Sequence, residues 1–193
     1  GYKAKFAEAN GASGLIIYTD PQDSGFTKGL VYPYGPYYNS STIQRGSLLT
    51  TDFTGDPLTP FEPALPIDGK EKIERIDPKN AQLHTIPVSP IGYGEAEKIL
   101  SQMNGDPVPQ SWQGGLPFTY RLQGGASLTV RLKVDQKIDF VRATNVIGML
   151  KGTDAPDEWI ILGCHLDSWG FGATDPSSGT AMLLSLSQTL GKL

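Results

Sequence analysis

The sequence WIILGCHLDSWGFGATDPSSG, residues 159–179, decides the fold expected for this chain. Its first five residues form a continuous apolar run, which predicts a central parallel strand covered on both faces. The residues that follow are rich in Gly, Ser and Asp, so we expect a loop over 164–177. Apolar residues then recur at helical spacing, which predicts a helix over 178–190. The order of strand, loop and helix indicates the start of an α/β sheet.

Three side chains in this stretch have the chemistry of a metal site. His165 and Asp167 directly follow the predicted strand, and functional groups collect at the carboxyl edge of open α/β sheets. A histidine can bind a metal through one ring nitrogen while a neighbouring carboxylate holds the other. Asp175 can return across the loop, and a carboxylate can bridge two metals about 3.5–4 Å apart. A structural histidine and an ordinary Asp-Pro turn are the alternative for each residue alone, but their grouping at a strand end favours a metal site.

Two other motifs in the loop are rejected. Gly170 and Gly172 resemble the start of a dinucleotide-binding fingerprint, but Asp175 occupies the third glycine position, where close helix packing needs a small residue. The loop serines do not lie in a G-x-S-x-G elbow, so a serine hydrolase is not indicated.

Composition sets limits on the class of protein. The 193 residues carry 16 basic and 20 acidic side chains, a net charge of -4, without a basic stripe, so we expect no nucleic-acid partner. No apolar run approaches the ~20 residues of a membrane span. The single cysteine, Cys164, excludes a disulfide within the chain, and we expect it to be a small buried hydrophobe rather than a third zinc ligand.

The rest of the chain predicts a loop-rich first part and a second part that opens an α/β sheet, with a boundary near Ile138. We expect many turns before that boundary, because Gly and Pro are abundant. The predicted helices are 2–10 and 94–103, and the predicted strands are 14–18, 127–134 and one or two over 137–151. Helical patterns run to both ends of the sequence, so we expect an internal piece of a longer protein.

Several strings of residues then resemble one family. The string HLDSWGFGATDPSSGTA, residues 165–181, is similar to the metal-binding segment of the glutamate carboxypeptidase and transferrin receptor superfamily of co-catalytic zinc exopeptidases. Other segments resemble the protease-associated, or apical, domain of that superfamily; they are 10–21, 44–46, 55–60 and 86–93. The resemblance implies a β-rich protease-associated domain over 1–138 and the start of the catalytic α/β domain over 139–193.

The resemblance also implies roles for residues of the loop. His165 would bind one of two zinc ions, Asp175 would bridge both, and Asp167 would support His165. The Asp175–Pro176 peptide bond is expected to be cis, with a hydroxyl of Ser177 or Ser178 capping the helix. The remaining ligands and the general base of the family follow later in its members, so we expect this chain alone to be inactive.

Further implied sites lie in the first part of the chain. Ser47 occupies the position of a substrate-binding Asn in the carboxypeptidase, which argues against a strict requirement for a C-terminal glutamate. Thr59 and Glu62 would give backbone oxygens to one structural calcium. Asn39 begins an N-glycosylation triplet, and His84 is expected at the surface.

The implied activity is hydrolysis of terminal peptide bonds by a di-zinc exopeptidase. The implied partners are a peptide substrate and, through a further domain, a second copy in a homodimer, with an extracellular or membrane-anchored location for the whole protein. The alternatives are a non-catalytic binding protein like the transferrin receptor and a protease-associated domain that acts as a protein-interaction module.

Overall fold

A computed structural model describes residues 1–44 and 46–192 of the chain. The described residues divide into two compact units, one ending at Ile138 and the other beginning at Asp139. The first unit has a mixed α/β structure, and the second has a single helix within its described part. The first unit is mixed α/β rather than β-rich as expected, because each sheet in the described part of the chain has only two short strands.

The first unit contains three α-helices and four short strands in its described residues. In chain order these are α1 (Lys3–Ala9), β1 (Leu15–Ile17), α2 (Pro21–Ser24), β2 (Gly55–Asp56), β3 (Thr59–Pro60), β4 (Val88–Pro90) and α3 (Tyr93–Leu100). Two 3₁₀ turns, Pro78–Asn80 and Gln110–Trp112, complete the list. Strands β1 and β4 are parallel, with Leu15 opposite Val88, and β2 and β3 are antiparallel.

Helix α1 ends where the sequence predicts. Gly11 adopts φ +82°, a left-handed conformation that glycine reaches without steric cost. The Asn10 side-chain amide donates to the Phe6 carbonyl at 2.8 Å, beside the Asn10 backbone amide, which donates to the same oxygen at 3.2 Å. The Asn-Gly pair therefore stops the helix by backbone geometry and by hydrogen bonding together.

Helix α3 supplies much of the small core. Tyr93 and Ala96 are buried on one face of the helix, and the Phe26 ring meets the Tyr93 ring edge-on at 5.9 Å. The Gly94 amide donates to the Ser40 carbonyl at 2.9 Å, which holds the loop between α2 and β2 against the first turn of α3. The apolar spacing in 94–103 predicted the helix and the buried position of Ala96, whereas Ile99, Leu100 and Met103 are half-buried.

A carboxylate joins the region after β1 to a distant segment of the first unit. Asp20 Oδ1 accepts hydrogen bonds from the Gln22 amide at 2.8 Å and from the Gly115 amide at 2.7 Å. Asp20 Oδ2 accepts from the Tyr120 hydroxyl, which in turn accepts from the Leu116 amide at 3.1 Å. Burial and the bond to Asp20 raise the pKa of Tyr120, so this phenol keeps its proton and remains a donor.

The strands predicted over 127–134, 137–151 and 159–163 are wrong: none of these residues is in a strand. A strand needs a partner to bond its backbone groups, and a strand without one gains little from an apolar sequence. Ile160 is 93% exposed, which shows that its run has no covering layer within the described part of the chain. In 127–134, Leu128 and Leu132 are half-buried, whereas Val130 and Val134 are exposed. The apolar residues of this segment are therefore only partly buried.

The second unit keeps its predicted helix. Helix α4 spans Ser177–Leu190, and the loop before it contains residues 164–176. Local spacing of apolar residues is sufficient to predict a helix, because its hydrogen bonds are internal to the segment.

Removal of the Tyr120 hydroxyl tests the Asp20 junction. Tyr120→Phe leaves an Asp20 oxygen and the Leu116 amide without this partner, and we expect unfolding free energy to fall by about 1–3 kcal/mol. Urea unfolding followed by tryptophan fluorescence measures the change. Tyr34→Phe is the matched control, because its side chain is 85% exposed and its hydroxyl can bond to water. Equal stability of the two variants would contradict the assigned role.

Candidate metal centre

The loop before α4 folds back on itself through backbone hydrogen bonds. The Ser177 amide donates to the Gly172 carbonyl and the Ser178 amide to the Thr174 carbonyl, each at 3.1 Å. Gly172 has φ +68°, a region that favours glycine. The Asp175–Pro176 peptide bond is cis, as the resemblance predicts. These features place Asp175 at a tight bend directly before the helix.

The predicted approach of the two candidate ligands is confirmed. His165 Nε2 lies 2.7 Å from Asp175 Oδ1, although ten residues separate them in sequence. Both side chains are solvent-accessible, with 54% of the His165 side chain and 79% of the Asp175 side chain exposed. One nitrogen donor and one carboxylate oxygen therefore share an open position at the surface of the second unit.

The second ring nitrogen of His165 is held by Asp167, mainly through its backbone. His165 Nδ1 lies 2.8 Å from the Asp167 carbonyl oxygen and 3.3 Å from Asp167 Oδ1. The sequence indicated the carboxylate as the supporting group, but the carbonyl is closer. Sequence reasoning missed this contact because every residue has a carbonyl, so no side-chain signal marks it.

These contacts determine the protonation of His165. A carbonyl oxygen only accepts hydrogen bonds, so Nδ1 carries a hydrogen and Nε2 faces the Asp175 carboxylate. The hydrogen bond to Asp175 and then the bond to the Asp167 carbonyl raise the pKa of His165 above its ordinary value. When the imidazole is protonated, its Nε2 hydrogen faces the Asp175 carboxylate. A metal at this nitrogen would take the place of that proton.

The expected hydroxyl cap of α4 is wrong. Neither Ser177 nor Ser178 accepts a bond from the first turn of the helix, whose N-cap residue is Pro176. The Ser178 hydroxyl instead donates to the Thr174 carbonyl at 2.5 Å. A serine in the first turn can bond backward to a carbonyl as well as forward to an amide, and the tight bend brings the carbonyl within reach.

The donor set fits part of a zinc site. Imidazole nitrogen and carboxylate oxygen are both ordinary zinc ligands, and a catalytic zinc takes three protein ligands. Within residues 1–44 and 46–192, no three His, Cys, Asp or Glu side chains are grouped to hold a metal. His165 and Asp175 can therefore contribute to a metal site but do not complete one.

The other predicted site residues lie in the first unit. Ser47 is exposed, and its carbonyl accepts from the Gly1 amino group at 3.2 Å. The carbonyl oxygens of Thr59 and Glu62 both face the space beside the Gly55 α-carbon, where a β-carbon would lie 2.7 and 3.2 Å from them. The two calcium-ligand candidates are thus brought together. Arg45, part of the segment 44–46 in the resemblance, lies outside the described residues.

The glycosylation triplet forms a closed turn. Asn39 Oδ1 accepts from the Ser41 amide at 3.1 Å and from the Ser41 hydroxyl at 2.9 Å. Its side-chain amide donates to the Tyr32 carbonyl at 3.2 Å. His84, expected at the surface, is half-buried, and its Nδ1 has no bond within the described residues.

Comparison with known proteins adds a family to this geometry. Residues 145–193 match the model of peptidase family M28. The chain is 39% identical over its full length to aminopeptidase NAALADL1 of Rattus norvegicus, of which it covers 27%. It is 36% identical over 98% of its length to the glutamate carboxypeptidase 2 homolog of Caenorhabditis briggsae, of which it covers 25%. These matches support the glutamate carboxypeptidase and transferrin receptor superfamily as the family of this chain.

The similarity extends beyond animals. The chain is 32% identical over 98% of its length to the probable glutamate carboxypeptidase LAMP1 of Arabidopsis thaliana. The chain spans about a quarter of the length of the relatives named here, 25% to 27%. Within the described residues, none of the helices has the length and apolar character that crossing a membrane requires.

Loss of the Asp175 charge tests the electrostatics of the pair. Asp175→Asn should lower the pKa of His165, because the carboxylate is the largest contributor to its rise. Proton NMR titration of the imidazole signals measures the change. Asp167→Asn should lower this pKa less, because the carbonyl bond to Nδ1 remains. A larger effect from Asp167→Asn would contradict the geometry.

Proposed function

We propose that the whole protein is a zinc-dependent exopeptidase and that His165 and Asp175 are two of its metal ligands. The observation that carries the proposal is the 2.7 Å approach of His165 Nε2 to Asp175 Oδ1 in a segment matched by peptidase family M28. The relatives named above are an aminopeptidase and two proteins of glutamate carboxypeptidase type, which supports a peptidase.

Each residue of the centre has a separate task in this proposal. Asp167 fixes the His165 ring through Nδ1, so that Nε2 stays directed at Asp175. Asp175 supplies a carboxylate, whose two oxygens can contact two cations about 3.5–4 Å apart. Zinc bound in such a centre supplies Lewis-acid polarisation of the peptide carbonyl group. The exposed position of the pair leaves room for further ligands and for a peptide.

The direction of cleavage distinguishes two forms of the proposal. One relative is named an aminopeptidase and another a glutamate carboxypeptidase 2 homolog, so both ends of a peptide are candidates. Ser47 in place of the Asn of the carboxypeptidase argues against a strict requirement for a C-terminal glutamate. Dipeptides blocked at either the amino or the carboxyl end, with acidic and neutral terminal residues, separate these possibilities in an assay of the whole protein.

Two further sites belong to the proposal for the whole protein. The carbonyls of Thr59 and Glu62 would hold a structural calcium together with carboxylates from elsewhere. The Asn39 triplet would be glycosylated if the protein enters the secretory pathway, as an extracellular or membrane-anchored peptidase would. Digestion with a glycosidase after secretion from eukaryotic cells tests the second point, with Asn39→Gln as the reference.

Substitution of the centre in the whole protein tests the activity. We expect His165→Ala to lower peptidase activity by more than about a hundredfold, and Asp167→Ala by less than about tenfold, because the closer partner of Nδ1, the Asp167 carbonyl, remains in that variant. Hydrolysis of the blocked dipeptides, before and after chelation and zinc addition, measures the loss. His84→Ala is the matched control, because His84 belongs to the first unit.

The outcomes separate an enzyme from a binding protein. Zinc-dependent hydrolysis that His165→Ala removes and His84→Ala preserves would support the proposal. Wild-type protein that binds zinc but hydrolyses none of the peptides would instead favour a non-catalytic protein of transferrin-receptor type. The 193-residue chain alone should show no hydrolysis, because two protein ligands do not complete a catalytic zinc site.

A further inference from the structure

We infer that Cys164 is a positioning residue that sets the distance between His165 and Asp175, an inference that rests on the proposed metal role of that pair. Cys164 precedes His165, and Pro176 follows Asp175. Cys164 Sγ lies 3.6 Å from the Pro176 carbonyl oxygen, so the same two stretches of chain touch at two adjacent points. The thiol contact and the His165–Asp175 contact are therefore geometrically coupled.

The thiol also meets the first turns of α4. Its sulfur lies 3.8 Å from the Thr180 hydroxyl oxygen, as well as near the Pro176 carbonyl. The residue as a whole is exposed, so the expectation of a buried hydrophobe is wrong. The sulfur contacts the His165 carbonyl oxygen at 3.3 Å and the two oxygens at the start of α4, rather than packing in a core.

A close approach at Gly179 makes this contact sensitive to size. A β-carbon added at Gly179 would lie 2.6 Å from Cys164 Sγ, closer than real β-carbons come to another atom. Either the sulfur or the helix would have to move. Because the helix begins at Ser177, two residues after Asp175, a shift of its first turn would change the position of the carboxylate relative to His165. The pair Cys164 and Gly179 thus defines how near α4 approaches the segment that carries His165.

The chemistry of cysteine suits this role. Its side chain is as short as serine but has a larger, polarisable atom that tolerates contacts near 3.6–3.8 Å with oxygen. Serine retains the polar contacts with a smaller atom. Alanine removes the sulfur and leaves space that a methyl group at position 179 can enter. This complementarity permits a double-mutant test.

The experiment measures binding of Co²⁺ alone to the 193-residue chain by paramagnetic broadening of its histidine NMR signals. The chain has two histidines, so His84 serves as an internal reference for His165. We expect broadening of His165 first. Gly179→Ala should weaken the apparent Co²⁺ affinity about tenfold, the cost typical of changes around a metal ligand. In the Cys164→Ala background, the same substitution should cost less than about twofold.

Each other outcome overturns part of the inference. An equal loss from Gly179→Ala in both backgrounds, or no loss, would overturn the positioning role, and far-UV circular dichroism shows whether α4 has formed in each variant. A tenfold or greater loss in Cys164→Ser, with Gly179→Ala unaffected, would make the thiol a ligand. Absence of His165 broadening in the wild-type chain would overturn this inference, and broadening that no variant changes would overturn it too. The proposed metal role in the whole protein fails separately, if His165→Ala leaves zinc-dependent hydrolysis unchanged.

Discussion

The Asp20 carboxylate is the contact on which the arrangement of the first unit depends. Its two oxygens accept hydrogen bonds from the chain that follows β1 and from Gly115 and Tyr120, which lie 95 and 100 residues away in sequence. The regular structure of the described residues is too sparse to hold these segments, because each sheet there has two strands. A single carboxyl group that accepts several hydrogen bonds supplies the long-range connection that a larger sheet would otherwise provide.

The second unit uses a carboxylate in a different way. Asp175 connects residues only ten positions apart and lies at the surface rather than at a junction. Water competes for an exposed carboxylate, so the contact with His165 contributes little to stability. The loop nevertheless holds the two groups together through its backbone bonds and the first turn of α4. A loop that is ordered at a cost in conformational entropy, without much gain in stability, is expected where a ligand binds.

The sequence predicted helices better than strands for a physical reason. The spacing of apolar residues in α3 and α4 indicates a helix, and a helix forms its backbone hydrogen bonds within its own segment. The apolar run 159–163 predicts only that these residues would be buried in a sheet. Whether they form a strand depends on hydrogen bonds to partner strands. None of the described residues pairs with this run, so its side chains remain exposed. The apolar pattern shows that these residues are suited to a buried strand, whereas partner strands decide whether the strand forms.

The candidate centre shows the same division between side chains and backbone. Residue types near a predicted strand end identified His165, Asp167 and Asp175, and the family resemblance assigned a role to each. The carbonyl of Asp167 and the sulfur of Cys164 could not be found in this way. The first is common to every residue, and the second acts through a distance to Gly179 that only coordinates reveal. Ligand identity follows from side-chain chemistry, but ligand spacing follows from backbone contacts, and the proposed function requires both.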